Sequence, residues 1–131
     1  MANIVFKIEA NNIDTIKETA KEAINKAMNE IGLQAQNYIS MNCPFETGRL
    51  AGSITYATKT ERQEVRAPAK SGDAVQGAPP ENGVIIGTNV EYAGYLEFGT
   101  SRIDAMPYIK PNIEAHMGEF KDTLQKHLQN A

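Results

Sequence analysis

Between Asn3 and Glu9 the side chains alternate, with Ile4, Phe6 and Ile8 to one side and Val5 and Lys7 to the other. That is the period of a β-strand with one buried face. Beyond Asn11 and Asn12 the period changes. Ile13, Ile16, Ala20, Ile24, Ala27, Ile31, Ala35 and Tyr38 follow at intervals of three or four, one apolar stripe of an amphipathic helix. Two start signals are open: Asn12 as a direct cap, or Thr15 with Glu18 as a capping box. At the other end Pro44 disfavours helical geometry at Cys43, which stops the helix near Asn42. A helix from Ile13 to Asn42 is about 45 Å long, against a diameter of about 36 Å for a compact domain of this size. It either bends, with Gly32 the weakest position, or projects to meet a neighbour.

From Ser53 to Val65, Ile54, Tyr56 and Val65 stand among Thr, Lys, Arg and Glu, which suits an edge or hairpin strand exposed on one face. The segment 66–83 is rich in proline and glycine (Pro68, Pro79, Pro80, Gly72, Gly77, Gly83), and Val75 is its only large apolar residue. Composition of this kind predicts a flexible loop or arm. Val84–Ile86 predicts a short buried strand, and YAGYLEFGT a short helix ending at Gly99. Pro111 suits the first turn of a final helix with the stripe Ile113, Met117, Phe120, Leu124 and Leu128. The fold class expected is α+β: a long N-terminal helix on a small, mostly antiparallel sheet, then a short and a C-terminal helix. Residues 1–131 are read as a single domain.

The charge balance, 13 basic against 16 acidic residues, argues against a sequence-independent grip on nucleic acid. Aromatics are few at 7%, with no tryptophan, so the core has few large anchors and would gain from burial against partner subunits. One cysteine makes no internal disulfide, and no secretory signal or run of about eighteen apolar residues is visible, so a soluble protein made in a reducing cytoplasm is expected. Cys43 would be a nucleophile only with a lowered pKa or a base beside it. His116 and His127 fall off the apolar stripe of the last helix and read as solvated. No metal-ligand spacing, Walker pattern or dinucleotide glycine pattern occurs. Glu91 and Glu97 diverge on a short helix, which disfavours paired acid–base work. No catalytic, cofactor-binding or metal-binding residue is therefore assigned. The reading is of a protein that is not an enzyme. Two rivals stand beside it: a small hydrolase or transferase using Glu97, Arg49 or Cys43, and a stand-alone nucleic-acid-binding protein using Lys59, Arg62, Arg66 and Lys70. Interleaved Glu61 and Glu64 weaken the latter.

Three phrases stand in order along the chain: NCPFETGRLAGSI at the helix end, VIIGTNVEYAGYLEFGT, and AMPYIKPNIEA before the last helix. Together they resemble the small neck and tail-completion proteins, the minor tail or head–tail joining components, of long-tailed bacteriophages and prophages. Pro44, Glu46, Thr47, Gly48, Arg49 and Leu50 carry the first phrase. Gly87, Thr88, Tyr92, Ala93, Glu97, Phe98, Gly99 and Thr100 carry the second, and Pro107 with Tyr108 the third. The resemblance implies a structural virion-assembly protein of the neck or tail, made in the bacterial host cytoplasm. It also implies a homo-oligomeric ring with phage connector and tail proteins as neighbours, no cofactor and no membrane. Neck adaptor and tail terminator both stay open, as does direct contact with DNA. Within the phrases, Thr47 and Gly48 are expected to turn the helix into a strand, and Arg49 to pair with Glu97. Phe98 is expected to bury against the long helix, and Gly99 to end the short one.

Overall fold

The computed structural model of this protein describes residues 3–10, 18–43 and 48–130. The alternating segment forms β1 (Ile4–Glu9), and the apolar stripe forms α1 (Glu18–Met41). One helical turn, α2 (Arg49–Ser53), leads into β2 (Thr55–Ala57). After a 3-10 turn at Ser71–Asp73 come β3 (Gly83–Thr88), α3 (Ala93–Phe98), α4 (Lys110–Ala115) and α5 (Met117–Gln129). The architecture is α+β, as expected. The cap candidates Asn12 and Thr15, and the phrase residues Pro44, Glu46 and Thr47, lie outside the described residues.

β3 is buried along its whole length and sits at the centre of the sheet, in the order β1-β3-β2. Both pairings are antiparallel, Ile4 opposite Thr88 through Glu9 opposite Gly83, and Thr55 opposite Gly87 through Ala57 opposite Ile85. α1 lays Ile24, Met28, Ile31, Ala35 and Ile39 on one face of this sheet, against Ile4, Ile8, Tyr56, Val84 and Ile86. Its 24 described residues span about 36 Å, and they run unbroken through Gly32. A Cβ there would stand 2.6 Å from the Tyr56 ring, so the glycine seats an aromatic side chain instead of bending the helix.

The strand after α2 and the final helix depart from expectation, in both cases through packing between distant segments. The strand after α2 covers only Thr55–Ala57, and all three residues are buried instead of half exposed. Thr58 Oγ1 accepts the Glu61 amide at 3.1 Å, which reverses the chain and sets the Gln63 amide on Tyr56 O at 2.9 Å. The segment 66–83 lies against the far face of the sheet, where Val75 packs with Ala57, Ile85 and the half-buried Val5. Its anchors are polar as well as apolar. Arg62 donates to the carbonyls of Val75 at 3.0 Å and Gly77 at 2.6 Å, and Arg66 donates to those of Ala51 and Ile54 at 2.9 and 2.8 Å. A count of apolar letters does not register such bonds.

The final helix is two helices, broken at His116. Its ring stacks on Tyr38 with centroids 3.5 Å apart, and Nδ1–H donates to Asn112 O at 2.7 Å. Neither histidine is simply solvated, because His127 Nε2 also reaches Glu30 Oε1 at 3.4 Å. These contacts belong to a polar seam. Pairing Glu30 with His127, Gln34 with Thr123, Tyr38 with Glu119 and Asn42 with Asn112 steps along both partners in opposite directions, so α1 and the α4–α5 pair are antiparallel. Beneath the seam Ile113 and Phe120 are buried, while Met117 and Leu128 stay exposed.

Candidate functional site

The three phrases converge on one knot of the structure. α1 ends at Met41, and Gly48 takes a left-handed φ of 83°, a conformation in which a side chain would be strained. The turn opens α2 and aims Arg49 outward, while Leu50 is fully buried. Arg49 grips two carboxylates. Nε and Nη2 bond Asp73 at 3.1 and 3.0 Å, and Nη1 and Nη2 bond Glu91, both at 2.9 Å. Its guanidinium also lies 5.8 Å from the centroid of the Tyr92 ring. Hydrogen bonds from Arg49 hold the carboxyls of Asp73 and Glu91 below their usual ranges, with desolvation opposing at both. The expected Arg49–Glu97 pair is thus not formed. Arg49 ties α2 to the 66–83 segment and to the connection between β3 and α3.

Glu97 turns the other way, into the interior. It is 4% exposed, and its Oε1 accepts the amides of Tyr108 at 3.0 Å and Ile109 at 2.9 Å, while Oε2 accepts that of Lys110 at 3.0 Å. These are the free N–H groups at the start of α4, which a carboxylate satisfies well. Tyr108 returns the link by donating from its hydroxyl to Ala93 O at 3.3 Å, and burial pushes its phenol above the ordinary range. The second and third phrases are therefore one bonded unit. The first joins it through Ser53 and Thr88, whose hydroxyls are 2.7 Å apart, and Thr88 Oγ1 accepts the Val90 amide at 3.1 Å.

Gly87 explains a phrase letter that carries no side chain. A Cβ there would fall 1.8 Å from Ile4 O and 3.2 Å from Val75 Cγ2, so its absence lets β1 and Val75 approach β3. Gly99 closes α3 with φ 76°, its amide bonding Tyr95 O at 2.8 Å. Phe98 does not bury against α1: it is 67% exposed, because Ala93, Leu96 and Glu97 hold the inner side of α3. Pro107 is exposed at the end of the turn that follows.

The rival chemistries find little geometry to use. Cys43 is half-buried, and desolvation pushes its thiol up to about 12, with Arg66 opposing and Glu97 adding to the effect. Such a thiol is protonated at neutral pH. Arg49 and Glu97 spend their charged atoms on structural partners. Of the basic row, Arg62 and Arg66 turn onto backbone carbonyls, and Lys59 lies 3.8 Å from Glu81. An open groove of about 660 Å³ runs beside Arg62, Glu64, Ser71 and Gln76. Among the described residues no cluster of His, Cys, Asp or Glu is arranged to hold a metal, and no helix is long and apolar enough to cross a membrane. Sequence reasoning missed Asp73, Arg62 and Arg66 as structural anchors, since none stands in a local pattern that points to its partner.

No curated protein and no solved structure matched the chain. A family model did, over residues 10–99 of 131, a span that holds the first phrase and the second up to Gly99, with Arg49, Gly87 and Glu97. On that match the chain belongs to the HK97-gp10-like family, whose description is "Bacteriophage HK97-gp10, putative tail-component".

Proposed function

We propose that this chain is a structural subunit of the neck or tail-completion ring that joins a phage head to its tail, working beside connector and tail proteins in the virion. One observation carries the reading. Among the described residues, Arg49 and Glu97 of the family phrases are engaged by bonds inside the fold, while the apolar side chains beside them, Tyr95 and Phe98, face outward at 57% and 67% exposure. A reactive site leaves its charges free for substrate, whereas an assembly subunit leaves apolar surface free for neighbours. On this reading segment 66–83 closes further on assembly. Cleavage between Arg66 and Gly83 then slows in the particle relative to the free subunit, and equal rates in both refute that part.

Electron microscopy of particles produced without the protein tests the role. Full heads beside finished but detached tails are expected for a joining subunit. Stunted or overlong tails assign length control instead. Normal, infectious particles refute the proposal.

A further inference from the structure

The described surface carries a small apolar groove and, elsewhere on the same chain, an apolar turn whose flanking charges match the groove's rim. The groove has a volume of about 220 Å³, with Met28, Ile31 and Phe120 buried in it and Leu124 and Met117 beside them. Glu9 and Lys121 stand exposed at its edge. A cavity of about 150 Å³ already takes a benzene ring, while small-molecule sites begin near roughly 300 Å³. The space suits a side chain better than a cofactor.

The turn follows α3. Thr100 Oγ1 accepts the amides of Arg102 and Ile103 at 3.1 and 3.0 Å, and the Thr100 amide bonds Ile103 O at 2.8 Å. The Met106 amide returns the chain to Leu96 O at 2.7 Å. This built turn displays Ile103, 48% exposed, between the exposed charges of Arg102 and Asp104. Tyr95, Phe98 and Met106 extend the apolar surface around it. At about 200 Å² for a whole aromatic side chain, Tyr95 and Phe98 with 57% and 67% open add on the order of 250 Å², about a third of what each partner contributes to a stable interface.

We propose that Ile103 of one copy seats in the groove between β1, α1 and α5 of the next, with Arg102 meeting Glu9 and Asp104 meeting Lys121. The proposal rests on the reading that subunits self-assemble, and it names the surface. Within one chain α3 and the groove meet β1 at opposite ends: Ile4 lies beside Gly94 of α3, whereas the groove opens at Glu9, about 17 Å along the strand. The contact is therefore head-to-tail, the kind that closes into a ring when the rotation between copies permits.

Sedimentation of the full chain over a range of concentrations tests it, with far-UV circular dichroism confirming the fold of each variant. The wild type is expected to associate, and Ile103→Asp and Met117→Glu, both at exposed positions, are each expected to yield monomer. Arg102→Glu should weaken association roughly tenfold, and adding Glu9→Arg to the same chain should restore it. Association that persists unchanged in both apolar variants overturns this surface and leaves self-assembly standing. Failure of Glu9→Arg to rescue overturns the pairing. A wild type that is monomeric throughout overturns the surface and self-assembly together, whether or not another tail protein then occupies the groove.

Discussion

Replacing Glu97 separates a structural carboxylate from a catalytic one. Its two oxygens serve three amides, and those of Tyr108 and Ile109 belong to residues only 1% and 0% exposed. In Glu97→Ala these two N–H groups lose their acceptor with no water to replace it. A buried, unsatisfied donor costs about 1–3 kcal/mol, so the pair costs about 4 kcal/mol. Lys110 is exposed, and its amide can turn to solvent. For a chain between the size classes with known scaling, each kcal/mol moves the midpoint by about 3–5 °C, so a fall of about 15 °C is expected. Glu97→Gln behaves differently. Its amide oxygen still accepts the Tyr108 and Ile109 amides, but its NH2 faces the Lys110 amide as donor to donor, with a loss of about 1–2 kcal/mol. Urea unfolding followed by circular dichroism, with the slope unchanged between variants, measures both. Equal losses in the two variants, or a Glu97→Ala loss under about 1 kcal/mol, would refute the capping role.

The remaining predictions concern the sheet, the thiol and the ion pairs. Gly87→Ala sets a Cβ against Ile4 O, so β1 should separate from β3; hydrogen exchange should then show Ile4–Glu9 unprotected, and retained protection refutes the close approach. Cys43, with its thiol near 12, should react with a disulfide reagent at a rate that climbs steadily from pH 7 to 10, and a plateau near the free-thiol value of about 8.5 refutes its burial. The carboxyls of Asp73 and Glu91 titrate lower in the folded chain than unfolded. Their bonds to Arg49 therefore stabilise the fold above the unfolded range of about 4, and that stability is lost as pH falls through the lowered folded values. The stability gap between wild type and Arg49→Gln should stay level from about pH 8 to 5 and close below about pH 4; a gap unchanged at low pH refutes the ion-pair account.

Periodicity located β1 and α1, because spacings of two and of three or four residues follow from local backbone geometry, while a short apolar run marked β3, the stop at Gly99 marked α3 and Pro111 marked the start of α4. The left-handed glycine at Gly48 and the helix stop at Gly99 were legible for the same reason: backbone strain is a property of one residue and its immediate neighbours. The break at His116 was not, since it goes with a ring stack on Tyr38 from another element.

What the chain's letters determined by themselves was the α+β class, the order of its elements apart from α2 and the split of the last helix, and the first two phrases, which fall almost wholly in the span that matches a phage tail-component family. Tertiary structure decided which way each phrase residue faced. Arg49 found Asp73 and Glu91, 24 and 42 residues away, instead of Glu97. Glu97 went inward to the amides of another helix, Phe98 outward, and Val75 beneath a sheet that its own proline-rich segment gave little sign of reaching. Charge and apolarity are properties of single residues, but a bonding partner is a property of the path that brings distant residues together. Only the folded chain contains that path.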